Sequence, residues 1–405
     1  MFGIILWILL FMFLVLIHEL GHFISAKKSW VKVLEFGIWI PPKVCKLRTD
    51  KSGTEYTLNL FPLGGFVRLK WEDQNNKEDF YAPDSLITAK LWKKVIIVCA
   101  GVVMNFLFAW LIFSVVFWKW TQPIWIIPVD KHVENNQSYL IPNVEFIKEK
   151  NLIKWWIDKI KPIVAYVWTW SEAEKAGLIV EDTIMKINGK EVNWLEFSTS
   201  FFKDNELCGK EIEIQIKRWE NILDKTANID ADTCKLGIVP VSSLDPQKDF
   251  EVIKFWFAGW IKAGLKETYY QTKTTLVLLW QLGKNLFSFD KDRIKEATSS
   301  LSSPVWVTKI VQQLVELDQR TRFLALFGII SLALAIFNIL PIPALDGGRL
   351  LGFLIQSWLR LKEEKYFNIE WYINFVFFVL LMWFWVYIML KDLVRFWDFH
   401  IPFIG

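Results

Sequence analysis

Residues 2–22 read FGIILWILLFMFLVLIHELGH. No charge occurs from Phe2 to Ile17, and the apolar character runs on past the histidines to Ile24. A helix needs about 20 apolar residues to cross a bilayer core, so this stretch is long enough to span one. No basic segment precedes it and no small-residue cleavage site follows it, which argues against a removed signal peptide. The run ends in His18-Glu19-Leu20-Gly21-His22. Residues four apart share a helix face, so both imidazoles can bind one Zn2+. Glu19 stands beside them, placed to take a proton from water. Soluble helices carry the same pattern by chance. Here it has a cost, because a charge in mid-membrane is unfavourable by roughly 2.5–3.5 kcal/mol on insertion scales. Two of the four histidines in the chain stand in this motif.

The remaining composition suits a polytopic membrane protein. The 405 residues are 53% apolar with mean hydropathy +0.27, against about 45–50% apolar in soluble chains. A net charge of +4 from 47 basic and 43 acidic residues leaves no nucleic-acid footprint. Further apolar runs cover 95–117, 323–345 and 371–390, so about four transmembrane helices are expected. Residues 263–289 interleave Lys266, Glu267, Lys273 and Lys284 with apolar residues, a pattern for a helix at the interface or against the bundle. The expected segments are a first span at 1–25, a loop at 26–94 and a second span at 95–118. An inserted α+β domain at 121–243, amphipathic helices at 250–320 and the last two spans at 321–392 follow. The 26–94 loop holds thirteen Lys/Arg against eight Asp/Glu, which places it in the cytoplasm. Alternation then puts the inserted domain and both termini outside, although Lys391 and Arg395 pull the other way.

Within the loop, Glu55 to Arg68 reads EYTLNLFPLGGFVR. Alternation broken by Pro-Leu-Gly-Gly predicts a hairpin turning at Pro62–Gly65. It is apolar enough to dip to membrane depth, where such backbone must line a cavity or pack on protein. In the inserted domain, Ser171 caps a short helix closed at Gly177. Asn188-Gly189 joins two strands, and Glu211–Lys217 alternates as a half-buried strand. Residues 131–160 read as an insertion or lateral helix. Cys45, Cys99, Cys208 and Cys234 show no C-x-x-C spacing; the last two share this domain and could pair, although two free or partly buried thiols are the expected state.

A catalytic zinc site uses three protein ligands and a water. The acidic residue ending the third apolar run is Asp346, in NILPIPALDGGR at 338–349. Pro341 and Pro343 break the helix there, and Gly347-Gly348 lets backbone approach closely. The plainer alternative is a cap that ends the span. Three function classes stay open on these residues: an enzyme, an inactive membrane scaffold that binds protein C-termini, and a metal transporter. The spans hold too few polar residues to line an ion path, and an intact His18, Glu19, His22 and Asp346 set argues against the scaffold.

Taken together, His18–His22, the Asn338 to Gly347 segment, the Phe61–Phe66 region and the inserted domain resemble the site-2 protease family of intramembrane metalloproteases. The likeness is to the bacterial regulated-proteolysis branch, with Ser171–Val192 similar to a PDZ core and Gly101–Asn105 similar to a second-span motif. The resemblance implies Zn2+ held by His18, His22 and Asp346, with Glu19 activating zinc-bound water. It implies cleavage inside transmembrane segments of single-span partners, such as anti-sigma-factor-like proteins or remnant signal peptides. It also implies an α-helical polytopic fold in the cell membrane, a membrane-associated β-hairpin, an extracytoplasmic PDZ-like domain and an active site near the cytoplasmic side. Gly64, Gly65 and Phe66 on the hairpin, with Asn105 and Asn338, are the expected substrate-binding residues. The two asparagines could equally serve as interhelical hydrogen-bonding groups.

One departure repeats. The chain has 24 Trp and 19 Gly, whereas Gly normally makes up about 7% of residues. Trp71, Trp168, Trp170, Trp219 and Trp306 stand where the family would have glycine. Interfacial belts explain tryptophans at membrane edges, but not those in turns and soluble regions. The pattern suggests a gene whose UGA codons specify glycine.

Overall fold

A computed structural model describes residues 2–70, 81–119, 121–123, 137–142, 144–153, 160–168, 170–194, 197, 199–231, 234–242, 251–288, 294, 304–316 and 319–397. Two compact units emerge, one formed by 1–119, 257–289 and 293–405, the other by 120–256 and 290–292.

Four helices of the first unit are long and apolar enough to cross a membrane, through residues 5–28, 91–118, 320–339 and 369–390. They belong to α1 (Phe2–Lys28), α2 (Leu91–Trp118), α8 (Arg320–Ile339) and α10 (Glu363–Trp397). Helices α6 (Gly259–Leu286), α7 (Pro304–Glu316) and α9 (Asp346–Leu359) complete the unit. Helix α2 is central and packs against α1, α6, α8 and α9. Small residues allow the close approach, as is usual between helices in lipid. A Cβ at Gly21 of α1 would lie 2.7 Å from the Ala100 carbonyl carbon, and one at Gly328 of α8 would lie 2.7 Å from the Phe113 ring. Of the two places expected for the amphipathic stretch, α6 takes the one against the bundle, burying Ala263, Gly264, Glu267, Thr268 and Gln271.

The third span stops at Ile339 rather than running to 345. Pro341 and Pro343 cannot donate to a helical ladder, and a new helix starts at Asp346.

The hairpin differs from expectation in its turn. Strand β1 (Val33–Thr49) pairs antiparallel with β2 (Glu55–Leu69), so the reversal lies at 50–54. Asp50 Oδ1 accepts from Ser52 N at 2.9 Å, Ser52 Oγ at 2.7 Å and Thr54 N at 3.0 Å. These Asx-type bonds close the turn at 50–54. Pro62–Gly65 is instead a bend inside β2, and it lets two stretches of β2 flank β1. Phe36 is opposite both Val67 and Tyr56, and Gly37 is opposite both Phe66 and Thr57.

The second unit holds a six-stranded sheet in the order β7-β6-β4-β3-β8, with β5 beside β4. Its strands are β3 (Pro162–Val167), β4 (Thr183–Ile187), β5 (Lys190–Glu191), β6 (Glu211–Arg218), β7 (Asn221–Asn228) and β8 (Ile238–Ser242). Short helices α3 (Val144–Lys150), α4 (Glu172–Lys175) and α5 (Thr199–Asp204) accompany it. Residues 131–136, 143 and 154–159 of the expected insertion lie outside the described residues. Ser171 caps α4 by accepting from Glu174 N at 3.2 Å. Asn188 (φ 48°) and Gly189 (φ 75°) form the tight β4–β5 turn. Strand β6 turns Ile212, Ile214 and Ile216 into the core, each contributing about 1.5–3 kcal/mol of burial. Cys208 and Cys234 are disulfide-bonded, with Cα atoms 4.8 Å apart, which corrects the free-thiol reading. The α5–β6 connection and the chain before β8 bring together two cysteines that lie 26 residues apart in sequence.

Candidate metal centre

The two histidines of α1 share one face, as their spacing requires. His18 Nε2 lies 2.8 Å from Asp346 Oδ2, and His22 Nε2 lies 3.2 Å from the same oxygen. The two Nε2 atoms are 3.1 Å apart. Zinc bonds of about 2.0–2.1 Å put tetrahedral ligand atoms roughly 3.3 Å from one another. The triangle is therefore the size one ion needs. Among the described residues it is the one His/Cys/Asp/Glu group so arranged.

Each ligand is held from behind. His22 Nδ1–H donates to the Ile97 carbonyl at 2.8 Å, which leaves Nε2 with its lone pair toward the centre. The amide of Asn105 is fully buried, 3.4 Å from His18 Nδ1, and its Oδ1 has no partner. If His18 gives Nε2 to a metal, Nδ1 carries the proton, and the Asn105 amide turned end for end accepts it. The orphaned oxygen thus has its partner once an ion is held, so these residues fit zinc. Gly101 lies against both rings. A Cβ there would press on His22 Nε2 and sit 2.7 Å from His18 Nε2.

Asp346 opens α9 directly after extended Leu345. A Cβ at Gly347 would collide with the carbonyls of Ile339 and Leu340, and one at Gly348 with that of Ile342. Both glycines therefore let α9 fold back onto the end of α8, which carries Asp346 to α1.

Glu19 interacts electrostatically with His22, His18 and Asp346, and the backbone of Val67 in β2 lies beside it. The hairpin reaches α1 just before the motif. A Cβ at Gly64 would lie 3.0 Å from Val15, and one at Gly65 would lie 2.7 Å from Leu16. The Phe66 ring covers Gly37. Asn338 is half-buried in the last turn of α8. The structure thus brings His18, His22, Asp346, Glu19 and Asn105 into one cluster, with Gly64 and Gly65 on the α1 face next to it. Sequence reasoning missed the work of Gly101 and Ile97. The spacing of Gly101, one helical turn before Asn105, was the available signal.

A multi-pass membrane protein whose first span and the helix just after its third span join in a His-His-Asp cluster is, by class, a metal-dependent enzyme of the bilayer. The chain belongs to peptidase family M50, whose model matches residues 6–381. A Clostridium perfringens protein whose name carries the words zinc metalloprotease is 27% identical over 393 residues, 96% of this chain and 98% of its own. The zinc metalloprotease RasP of Geobacillus kaustophilus is 27% identical over 443 aligned residues, 97% of this chain and 98% of its own. A Helicobacter pylori protein named likewise is 27% identical over 362 residues, 86% and 88% of the two chains. The protein is a metalloprotease, and the family and the cluster together support zinc-dependent intramembrane proteolysis of the site-2 type.

Proposed function

We propose that this enzyme cuts single-span membrane proteins within their spans, with His18, His22 and Asp346 holding Zn2+ and Glu19 as general base. The observation that carries the reading is the ligand triangle of His18 and His22, from the apolar spanning helix α1, and Asp346 from α9, with Glu19 beside it. Bound there, zinc supplies a Lewis acid that polarises a peptide carbonyl and lowers the pKa of water. Glu19 takes the proton of the attacking water and returns it to the leaving amine. Asn105 orients His18 and, with Asn338, offers amides to substrate backbone.

A helical substrate hides its carbonyls and must unwind before it can be cut. The stretch of β2 from Gly65 to Arg68 runs beside Glu19, and a substrate strand added there would be held extended. The second unit acts as a PDZ-like filter that admits partners already trimmed to short ectodomains. Its Cys208–Cys234 bond supports an oxidising, extracytoplasmic side, and the basic 26–94 loop supports a cytoplasmic position for the end of α1. Anti-sigma-factor-like proteins and remnant signal peptides are the substrate types that this arrangement suits.

The test uses purified full-length protein and a model single-span substrate. Glu19→Gln should keep zinc and lose cleavage, and Asp346→Asn should lose both. Cleavage by Glu19→Gln at the wild-type rate would remove Glu19 from the mechanism.

A further inference from the structure

We propose that Asn374, on the fourth spanning helix, is a positioning residue for Asp346; this rests on the reading of Asp346 as a zinc ligand. Ala344 N–H donates to Asn374 Oδ1 at 2.9 Å. Ala344 has φ 74°, a left-handed conformation that a residue with a β-carbon adopts only when something holds it. Only Leu345, the extended cap of α9, separates it from Asp346. An amide inside a span is unfavourable unless it has a partner, and this one is spent on the strained residue that aims the ligand. One turn earlier on α10, buried Glu370 has Oε1 4.0 Å from Nε of Arg349, which follows Asp346 on α9, a loose ion pair with no hydrogen bond between them. Helix α10 therefore approaches the chain on both sides of the ligand, and the Asn374 bond is the firm contact. No part of α10 enters the triangle itself.

The experiment compares zinc retention against graded chelator, and cleavage of the model substrate, in Asn374→Leu, Asn374→Asp and Asp346→Asn. Asn374→Leu removes the acceptor and should weaken zinc retention about 10–100-fold, the usual cost of losing a group that orients a ligand. Asn374→Asp keeps an oxygen for Ala344 N–H and should restore most of it. Wild-type retention in Asn374→Leu, or equal loss in the Leu and Asp variants, overturns the proposal. Wild-type retention in Asp346→Asn overturns the ligand reading instead.

A separate observation concerns the tryptophans. Among the described residues, twelve that are not glycine have positive φ, and four of them are Trp: Trp30 (63°), Trp39 (70°), Trp170 (62°) and Trp219 (56°). Tryptophan is only 24 of 405 residues, and a bulky residue in this region is a genuine outlier. The indoles gain little there. Trp30, Trp170 and Trp219 are 83%, 77% and 77% exposed, and the Trp39 Nε1 is buried without a partner. Trp219 stands in the β6–β7 turn, and Trp170 directly before the cap of α4. We infer that these four positions are glycine in the native protein, through UGA codons read as glycine. Two of the five tryptophans singled out from sequence are among them. Trp168 lacks positive φ, Trp306 lies in α7 rather than in a turn, and Trp71 is outside the described residues.

Peptide masses of the protein isolated from its source organism decide the matter. Glycine masses at 30, 39, 170 and 219 are expected, and tryptophan masses at 170 and 219 would overturn the inference. The recombinant chain supplies a second measure. The quadruple Trp→Gly variant should unfold at a higher temperature than the parent, whereas Trp→Gly at helical Trp92 and Trp280 should lower the midpoint. A quadruple variant less stable than the parent also overturns it.

Discussion

Gly101 of α2 and His22 of α1 touch without an intervening atom, so a β-carbon at 101 would press on the Nε2 that faces the ligand triangle. The contact ties helix packing to metal chemistry. Alanine in place of a helical glycine improves helix propensity by about 0.8–1 kcal/mol, which offsets part of the about 1–3 kcal/mol cost of overpacking, so Gly101→Ala should still fold, with a melting point near the parent's. It should nonetheless lose zinc affinity and at least ten-fold in activity, because the ring can yield only by leaving its Ile97 bond. Metal analysis beside a melting curve checks this, and normal zinc with normal cleavage would show that the ring has room.

The α8–α9 break gives a second case. Gly347 and Gly348 each face backbone carbonyls across the break, and backbone cannot yield as a side chain does. Gly347→Ala should therefore push α9 away and abolish zinc binding as completely as Asp346→Asn. Partial activity above one-tenth of the parent would show that the loop adapts.

At the hairpin tip, burial works to raise the Asp50 carboxyl, but Lys27, the Ser52 hydroxyl and the N–H groups of Thr54 and Ser52 outweigh it. The group is held well below the usual carboxylate range. A depressed carboxylate stabilises fully above its unfolded value of about 3.9 and loses that effect as pH falls through the folded value. The turn should thus be insensitive to pH between 5 and 8 and fray only in strong acid. Asp50→Ala should speed hydrogen exchange at Ser52 and Thr54, by a factor corresponding to about 1 kcal/mol. Asp50→Asn, which keeps an acceptor oxygen, should do so less.

How much of this was legible beforehand depended on the kind of signal. The spans and the His18–His22 pair rest on periodicity and composition within one segment, and they appear near where those rules put them, except that Pro341 and Pro343 end the third span at Ile339. Asp346 was readable because acid is rare at the end of a span. The turn of the hairpin was misread because Pro62-Leu-Gly-Gly is a strong local turn signal. Pairing with 33–49, which local rules do not see, converted it into a bend. Gly101, Ile97 and Asn374 act across helices, and only the packed structure reveals which residue each one meets.

In the second unit, Asp182 is fully buried and takes two bonds from Arg218, Nε to Oδ1 at 2.7 Å and Nη2 to Oδ2 at 2.8 Å. Arg218 also donates to the Gly177 carbonyl at 2.8 Å, and Asp182 accepts from Ile179 N at 2.9 Å. The pair fastens the end of β6 to the loop between α4 and β4. Removing one partner of a buried pair costs about 3–5 kcal/mol, because the other is left uncompensated. Arg218→Met should therefore unfold this unit at markedly lower temperature, while zinc content, set by the other unit, stays at the parent level. Loss of zinc together with the melting shift would mean that the two units do not fold independently.

The Cys208–Cys234 bond leads to the last prediction, which joins stability to sidedness. Cys234 is buried in the core of the second unit. Closing a loop of this length stabilises by about 3 kcal/mol on the chain-entropy model. Cys208→Ser with Cys234→Ser should destabilise the unit by a free energy of that order, read as a lower melting point. In intact cells, an impermeant maleimide should label neither cysteine before reduction and should label both after reduction and unfolding from outside. Cys45, exposed in the hairpin, should react only once the membrane is permeabilised. Labelling of Cys45 in intact cells would reverse the proposed orientation and place the unit with the disulfide in the reducing compartment, where such a bond does not persist.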